Sequence, residues 1–128
     1  MLRFFVVAAG GAIGALLRYI VSGIGYRLSS SVLPISTLFI NVIGSLGIGF
    51  LWGIFERFAI SPNVRVFIFI GILGSYTTFS TFSLETFNLL RDGEYRIAFI
   101  NVIFSVILSI GAVFMGYFSS KMLLDYYK

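Results

Sequence analysis

The chain has 128 residues, enough for one compact domain, and it carries 59% hydrophobic and only 11% charged residues. A soluble domain carries about a quarter charged residues, and a fold this small could not hide so much apolar surface from water, so that surface must face lipid or another subunit. The chain has no cysteine and no histidine, which excludes disulfides, thiol catalysis and zinc sites, and its nine basic residues are scattered rather than clustered as nucleic-acid binding would require.

Four hydrophobic stretches are each long enough to cross the hydrocarbon core, which takes about 20 apolar residues. The first begins near Leu2. A signal peptide is the alternative interpretation of that stretch, but its length and the three stretches that follow favour a retained helix. We therefore predict an all-α integral membrane protein with a single domain over residues 1–128 and spans at about 2–26, 35–55, 66–90 and 97–120.

Basic residues are divided almost evenly between the two ends of the predicted bundle. With four spans both termini lie on one side, which carries Arg3, Arg57, Arg65, Lys121 and Lys128. The other side carries Arg27, Arg91 and Arg96, together with Arg18 if that residue lies near the end of its helix. So small a difference fixes no single orientation under the positive-inside rule. Because a four-helix unit is also too thin to enclose a pore alone, we predict an antiparallel, dual-topology homodimer.

Glycines recur at helical spacing inside two of the spans. Gly10 with Gly14, and Gly49 with Gly53, have the small-xxx-small spacing that lets helix backbones approach closely. This spacing is common in membrane helices and predicts packing rather than function.

Polar side chains repeat every four residues on two spans, so each set shares one helix face. Hydrogen bonding between helices is the ordinary interpretation of such stripes. Amides are costlier to bury than hydroxyls, which makes the two asparagines the better functional candidates. The stripes are Thr37, Asn41 and Ser45 on the second span and Asn101, Ser105 and Ser109 on the fourth.

The third span has the least ordinary composition. Its segment 71–83 contains two glycines and six Ser or Thr residues. Glycine and β-branched threonine are poor helix formers, so we predict a break between Gly74 and Thr78. Backbone groups freed at membrane depth must be buried in protein or line an aqueous site, and freed carbonyls suit a hard cation. The alternative is a glycine kink whose hydroxyls bond to their own backbone.

Two aromatic residues lie among these hydroxyls. Phe79 and Phe82 are three residues apart and share a helix face. The edge of a phenyl ring is electropositive, so edge-on rings favour a small anion. Donors at Ser80, Ser83 and Asn41 could replace the water that such an anion loses. No Asp, Glu, Lys or His lies in the middle of any span, which argues against a proton-coupled carrier and for a passive pathway.

Three segments resemble the Fluc fluoride channels, also called the CrcB family. They are GGAIGALLRY at 10–19, TLFINVIGS at 37–45 and GILGSYTTFSTFSLE at 71–85. The third is the specific one, and the likeness extends over the whole chain in length and number of spans. It implies a dual-topology antiparallel homodimer with two parallel pathways that passively export cytoplasmic fluoride, and not an enzyme. We expect such a protein in the inner (plasma) membrane.

The resemblance also assigns roles to individual residues. Asn41 would be a donor in the fluoride pathway, Phe79 and Phe82 its aromatic box, and Ser80 and Ser83 its polar lining, with Ser105 and Ser109 as a polar track. The main-chain carbonyls of Gly74 and Thr77 from both subunits would hold a structural sodium ion at the dimer interface. Arg18 would lie near an aqueous vestibule and raise the local anion concentration.

Two other classes of membrane protein fit the size of the chain. Small multidrug or guanidinium-type transporters also have four spans and dual topology, but they carry a membrane-embedded glutamate in the first span. Here that span has only Arg3 and Arg18, which would repel a cationic substrate. A structural assembly subunit without transport activity is the second alternative, and the crowded hydroxyls of the third span argue against it.

Overall fold

The computed structural model describes residues 1–28 and 32–126, and the side chains of residues 1–25 and 32–126. Lys128, which enters the charge balance above, lies outside the described residues, as does the side chain of Arg27. The described chain forms α1 (Leu2–Leu28), α2 (Ile35–Arg57), α3 (62–76), α4 (Phe79–Arg91) and α5 (Tyr95–Tyr126).

Four helical stretches are long and apolar enough to cross a membrane, which confirms the predicted number of spans. Helices α1, α2 and α5 each provide one, and α3 and α4 together provide the third. The third and fourth stretches, Pro62–Arg91 and Tyr95–Tyr126, are longer than the sequence indicates. Pro62 stands at the first position of α3, where a proline costs no helical hydrogen bond, and Ser61 Oγ accepts from the Val64 amide at 3.4 Å.

The four spans pack as two parallel pairs held by glycines. Helix α1 lies against α3, where a Cβ on Gly10 would lie 2.9 Å from Gly71 Cα and one on Gly14 would collide with the Ile72 carbonyl. Helix α2 lies against α5, where Gly49 meets the Val113 carbonyl in the same way. The predicted packing role of these glycines is therefore confirmed.

The third span is interrupted at Thr77 and Thr78, inside the predicted segment. Its first half contains a π-helical stretch, Val66–Leu73, followed by one α-helical turn, Gly74–Tyr76. Thr77 (φ −74°, ψ 158°) and Thr78 (φ −150°, ψ 113°) are then extended, and α4 begins at Phe79. Gly74 itself is helical, with φ −65° and ψ −31°, so the break lies at the two threonines and not at the glycine.

Apolar side chains cover the outside of the bundle along its whole length, as at Phe4, Ile70, Ile107 and Met115. Few large side chains are fully buried, which fits a chain surrounded by lipid or by a partner. Charged side chains gather where α2 and α5 end: Lys121 Nζ lies 2.8 Å from Glu56 Oε2.

Candidate functional site

A cavity of 420 Å³ lies where α2, α5 and the break of the third span meet. One wall is the polar face of α2, another is that of α5, and the third is the end of α3 with the start of α4. Nine of the residues singled out in the sequence line it: Asn41, Ser45, Gly74, Thr77, Thr78, Phe79, Phe82, Ser105 and Ser109.

Asn41 is bound to the backbone of the break. Its Nδ2 donates to the Thr78 carbonyl at 3.1 Å, and its Oδ1 accepts from the Thr78 amide at 2.8 Å. In a continuous helix the Thr78 amide would donate a hydrogen bond to the carbonyl of Gly74, four residues earlier. The carboxamide thus replaces a helical hydrogen bond, and only one N–H of Asn41 is left for a ligand in the cavity.

The two phenylalanines differ in their surroundings. Their ring centroids are 5.5 Å apart with the planes inclined at 50°. Phe82 is 9% exposed, whereas Phe79 is 79% exposed although it lines the same cavity. Phe79 therefore stands at the open side of the cavity, where the described chain does not cover it.

The serines of α4 do not join the cavity within the described chain. Ser83 Oγ donates to the Phe79 carbonyl at 2.9 Å, which is a bond to its own helix. Ser80 is exposed, and its Oγ lies 3.3 Å from Thr78 Oγ1. Their assignment to the polar lining stays a prediction.

The serines of α5 do line the cavity. Ser105 is buried and Ser109 is half-buried. Asn101, one turn earlier, is instead fully buried, and its Nδ2 donates to Thr86 Oγ1 at 2.9 Å. Asn101 is therefore a tether between α4 and α5, and its role is structural.

A second cavity, of 380 Å³, lies between α1, α2 and the start of α4. Arg18, half-buried, lines it, and its Nη1 donates to the Thr77 carbonyl at 3.3 Å. Thr78 lines both cavities, so the break forms part of the partition between them. The remaining lining includes the hydroxyl-bearing residues Ser22, Thr37 and Thr81.

Sequence reasoning missed the position of Glu85. The predicted third span, 66–90, includes this residue but assigns it no role, whereas in the structure α4 continues to Arg91 and Glu85 is half-buried inside the span. Thr37 Oγ1, itself 4% exposed, donates to Glu85 Oε1 at 2.8 Å. The available signal was the helical continuation past Glu85, together with a threonine on the polar face of α2.

Comparison with known proteins shows the family of this chain. The family model described as "CrcB-like protein, Camphor Resistance (CrcB)" matches residues 5–117. The chain belongs to the CrcB family. The matched region contains every residue that lines the two cavities, and it confirms the resemblance read from the sequence motifs.

Several curated relatives of this CrcB-family chain carry the name fluoride-specific ion channel FluC. The protein from Parabacteroides distasonis is 46% identical over 121 residues, which cover 94% of this chain and 94% of the relative. FluC 1 from Nitrobacter hamburgensis is 50% identical over 112 residues, 86% of this chain and 88% of the relative. The protein from Pyrococcus abyssi is 44% identical over 113 residues, 88% and 90% of the two chains.

Main-chain carbonyl oxygens at the break are the candidate ligands for the ion that the resemblance implies. Among the described residues no group of three or more acidic side chains is placed to hold a metal ion. The oxygens that the break offers are main-chain carbonyls, since the extended Thr77 and Thr78 have left the helical ladder. Neutral, hard oxygen ligands of this kind fit sodium, so the donor chemistry at Gly74 and Thr77 is compatible with the ion that the resemblance implies.

Proposed function

We propose that this CrcB-family chain forms a passive, fluoride-selective channel that exports cytoplasmic fluoride down its electrochemical gradient. Relatives with 40–50% identity over most of their length carry the name of such a channel. The single observation that carries the proposal is the cavity at the break, because it combines hydrogen-bond donors with phenyl rings in one membrane-embedded space.

The chemistry of that cavity suits fluoride. A small anion entering a narrow space loses water, and the loss must be offset by donors of similar strength. The hydroxyls of Ser105 and Ser109 and the remaining N–H of Asn41 are such donors. The electropositive edges of Phe79 and Phe82 favour an anion. Fluoride accepts hydrogen bonds more strongly than chloride and is smaller, which gives selectivity.

The functional unit in this proposal is an antiparallel, dual-topology homodimer with two pathways. A cavity that contains amide and hydroxyl groups, beside an aromatic residue that is 79% exposed, would face lipid in a lone chain, which is unfavourable. A second copy in the opposite orientation would close the cavity at Phe79, and the near-even division of basic residues permits both orientations. The sodium ion would then lie on the two-fold axis, held by the carbonyls of Gly74 and Thr77 from each subunit.

The physiological direction follows from acid chemistry. Hydrogen fluoride crosses a bilayer as a neutral weak acid and ionises in the cytoplasm, where the charged anion is trapped. A channel in the inner membrane lets the inside-negative potential drive the anion out without a coupling ion. Such a protein transports an ion and catalyses no covalent step.

Efflux from liposomes tests this function. Vesicles loaded with potassium fluoride and reconstituted with the purified protein should release fluoride when a potassium ionophore dissipates the potential. Matched vesicles loaded with potassium chloride should retain their anion. Glu85 is a titratable group within a span, so a third arm of the experiment holds the same pH on both sides of the vesicle membrane. Fluoride efflux that stops without a proton gradient would indicate a coupled carrier, and equal chloride efflux would exclude a selective channel.

A further inference from the structure

One face of α1 brings a cation to the break. Gly10, Gly14 and Arg18 are spaced i, i+4 and i+8, so they lie on the same side of the helix. The two glycines lie against the backbone of α3, where side chains would collide with Phe67 and Ile72 carbonyls. This close approach places Arg18 within hydrogen-bonding reach of the Thr77 carbonyl, at the break of the third span.

The Thr77 carbonyl has lost its helical partner. In a continuous helix it would accept from the amide of Thr81, but that amide donates to Thr78 Oγ1 at 3.2 Å, which caps the start of α4. The Arg18 guanidinium supplies the replacement donor at 3.3 Å. Together with the two bonds from Asn41, it gives partners to the Thr77 carbonyl and to the amide and carbonyl of Thr78.

We propose that Arg18 is a positioning residue of the permeation pathway, acting through its hydrogen bond to the Thr77 carbonyl rather than through its charge alone. By fixing Thr77 from the side of the second cavity, Arg18 sets the direction of the backbone from which Phe79 and Phe82 enter the first cavity. This inference rests on the proposed channel function for its flux readout but not for its structural readout.

Two substitutions distinguish the positioning role of Arg18 from simple electrostatic attraction of anions into the vestibule. Arg18→Lys keeps the charge but replaces a planar fork of five donors by a single ammonium point. Arg18→Gln keeps a planar donor and removes the charge. A vestibule that acts only by attraction needs the charge, and its effect weakens with salt, since the Debye length falls from about 10 Å at 0.1 M to about 3 Å at 1 M. A positioning bond needs the geometry and is insensitive to salt.

The experiment measures fluoride efflux at 0.1 M and 1 M salt, and amide hydrogen exchange of the peptide covering residues 77–81, for the reconstituted wild type and both variants. Size-exclusion chromatography first establishes that each variant keeps the assembly of the wild type. We expect Arg18→Lys to lower efflux about tenfold, which corresponds to the loss of one charged hydrogen bond, equally at both salt concentrations. We also expect faster exchange of the Thr78 and Thr81 amides. Arg96→Lys, at an exposed position, is the matched control and should change neither readout.

The outcomes distinguish the two hypotheses. Arg18→Lys with wild-type efflux and wild-type exchange would overturn the positioning role, and so would a deficit in Arg18→Gln alone that disappears at 1 M salt. If Arg18→Lys does not assemble, Arg18→Gln decides through its exchange at residues 77–81, where wild-type protection would overturn the inference. A wild type that carries no fluoride would refute the proposed function, while the exchange result would still decide whether Arg18 holds the break.

Discussion

The carboxamide of Asn41 and the backbone of Thr78 form a reciprocal pair of hydrogen bonds. Asn41 Nδ2 donates to the Thr78 carbonyl, and Asn41 Oδ1 accepts from the Thr78 backbone N–H. This pair ties α2 to the point where the third span stops being helical. It gives Asn41 two functions in the proposed channel: one N–H can face the ion, and the rest of the group holds the wall of the pathway in place.

The first prediction concerns this pair. Asn41→Asp keeps the size and can still accept from the Thr78 amide, but it cannot donate to the Thr78 carbonyl and it places a carboxylate beside it. Leaving a buried acceptor unsatisfied costs about 1–3 kcal/mol, so fluoride efflux should fall about 10- to 100-fold. Asn63→Asp, in the first turn of α3, is the control and should retain efflux. Normal efflux by a folded Asn41→Asp protein would show that neither the bond nor a neutral side chain is needed.

The aromatic pair gives the second prediction. Phe79→Ile and Phe82→Ile keep an apolar side chain but remove the electropositive ring edge. Each should lower fluoride efflux about tenfold or more, whereas only Phe82→Ile, at a buried position, should lower the thermal stability, by about 1 kcal/mol. Phe87→Ile, on the exposed face of the same helix, is the control. A folded double variant with normal efflux would make both rings ordinary packing residues.

Much of the fold was readable from the sequence because membrane insertion depends on the length and composition of each stretch. Four apolar stretches gave the four spans, and glycine with threonine in the segment 71–83 gave the break. The π-helical stretch Val66–Leu73 could not be read in the same way. A π-helix has more residues per turn than an α-helix, so it changes which side chains face a neighbouring helix. No residue type in the sequence indicates where such a stretch occurs.

The site was readable as a set of residues but not as a set of bonds. Spacing predicted that Asn41 lies on a polar face of the second span and that Ser105 and Ser109 share one on the fourth, and in the structure these three residues line one cavity. Spacing alone gives no partner across helices, because the partner depends on how two helices approach each other. For this reason the sequence missed the bond between Thr37 and Glu85, and it treated Asn101 as a functional candidate although it is buried against Thr86.

The glycines of the helix interfaces give a third prediction with a control on the same helix. A Cβ on Gly116 would collide with the Leu46 carbonyl, whereas one on Gly111 meets nothing within 4 Å. Gly116→Ala should therefore lower the stability in detergent by about 1–3 kcal/mol, the usual cost of overpacking. Gly111→Ala should leave it unchanged or raise it slightly, because alanine favours the helix. Thermal unfolding followed by circular dichroism measures both, and equal melting points would contradict the packing.

The fourth prediction tests dual topology through the loop between α2 and α3. Phe58 and Ala59 are exposed in this loop. Substituting them leaves the bond between Lys121 and Glu56 and the bond from Arg65 to the Phe55 carbonyl in place. Lysines at both positions should hold this loop in the cytoplasm. Asp92→Lys with Glu94→Lys, in the turn before α5, should hold the opposite end there. Each variant expressed alone should lose fluoride efflux, and co-expression should restore it. Full efflux from either variant alone would contradict the antiparallel dimer.

The last prediction concerns the proposed sodium ion at the break. If two breaks meet on a two-fold axis, the carbonyls of Gly74 and Thr77 from both chains converge, and without a cation between them their dipoles repel. Replacing sodium with a large organic cation should therefore lower both the thermal stability of the dimer and fluoride efflux, without letting chloride pass.

The main-chain nature of the ligands gives this prediction its controls. Thr77→Ser leaves the carbonyl in place and should keep the sodium response. Gly74→Val should weaken it, because a Cβ there would lie 3.2 Å from the Phe69 carbonyl and a branched side chain would force that turn to shift. Gly23→Ala, where nothing lies within 4 Å, should respond to sodium as the wild type does. If stability and efflux stay unchanged after thorough sodium removal, the carbonyls at the break hold no ion, and the hydrogen bonds from Arg18 and Asn41 suffice to stabilise it.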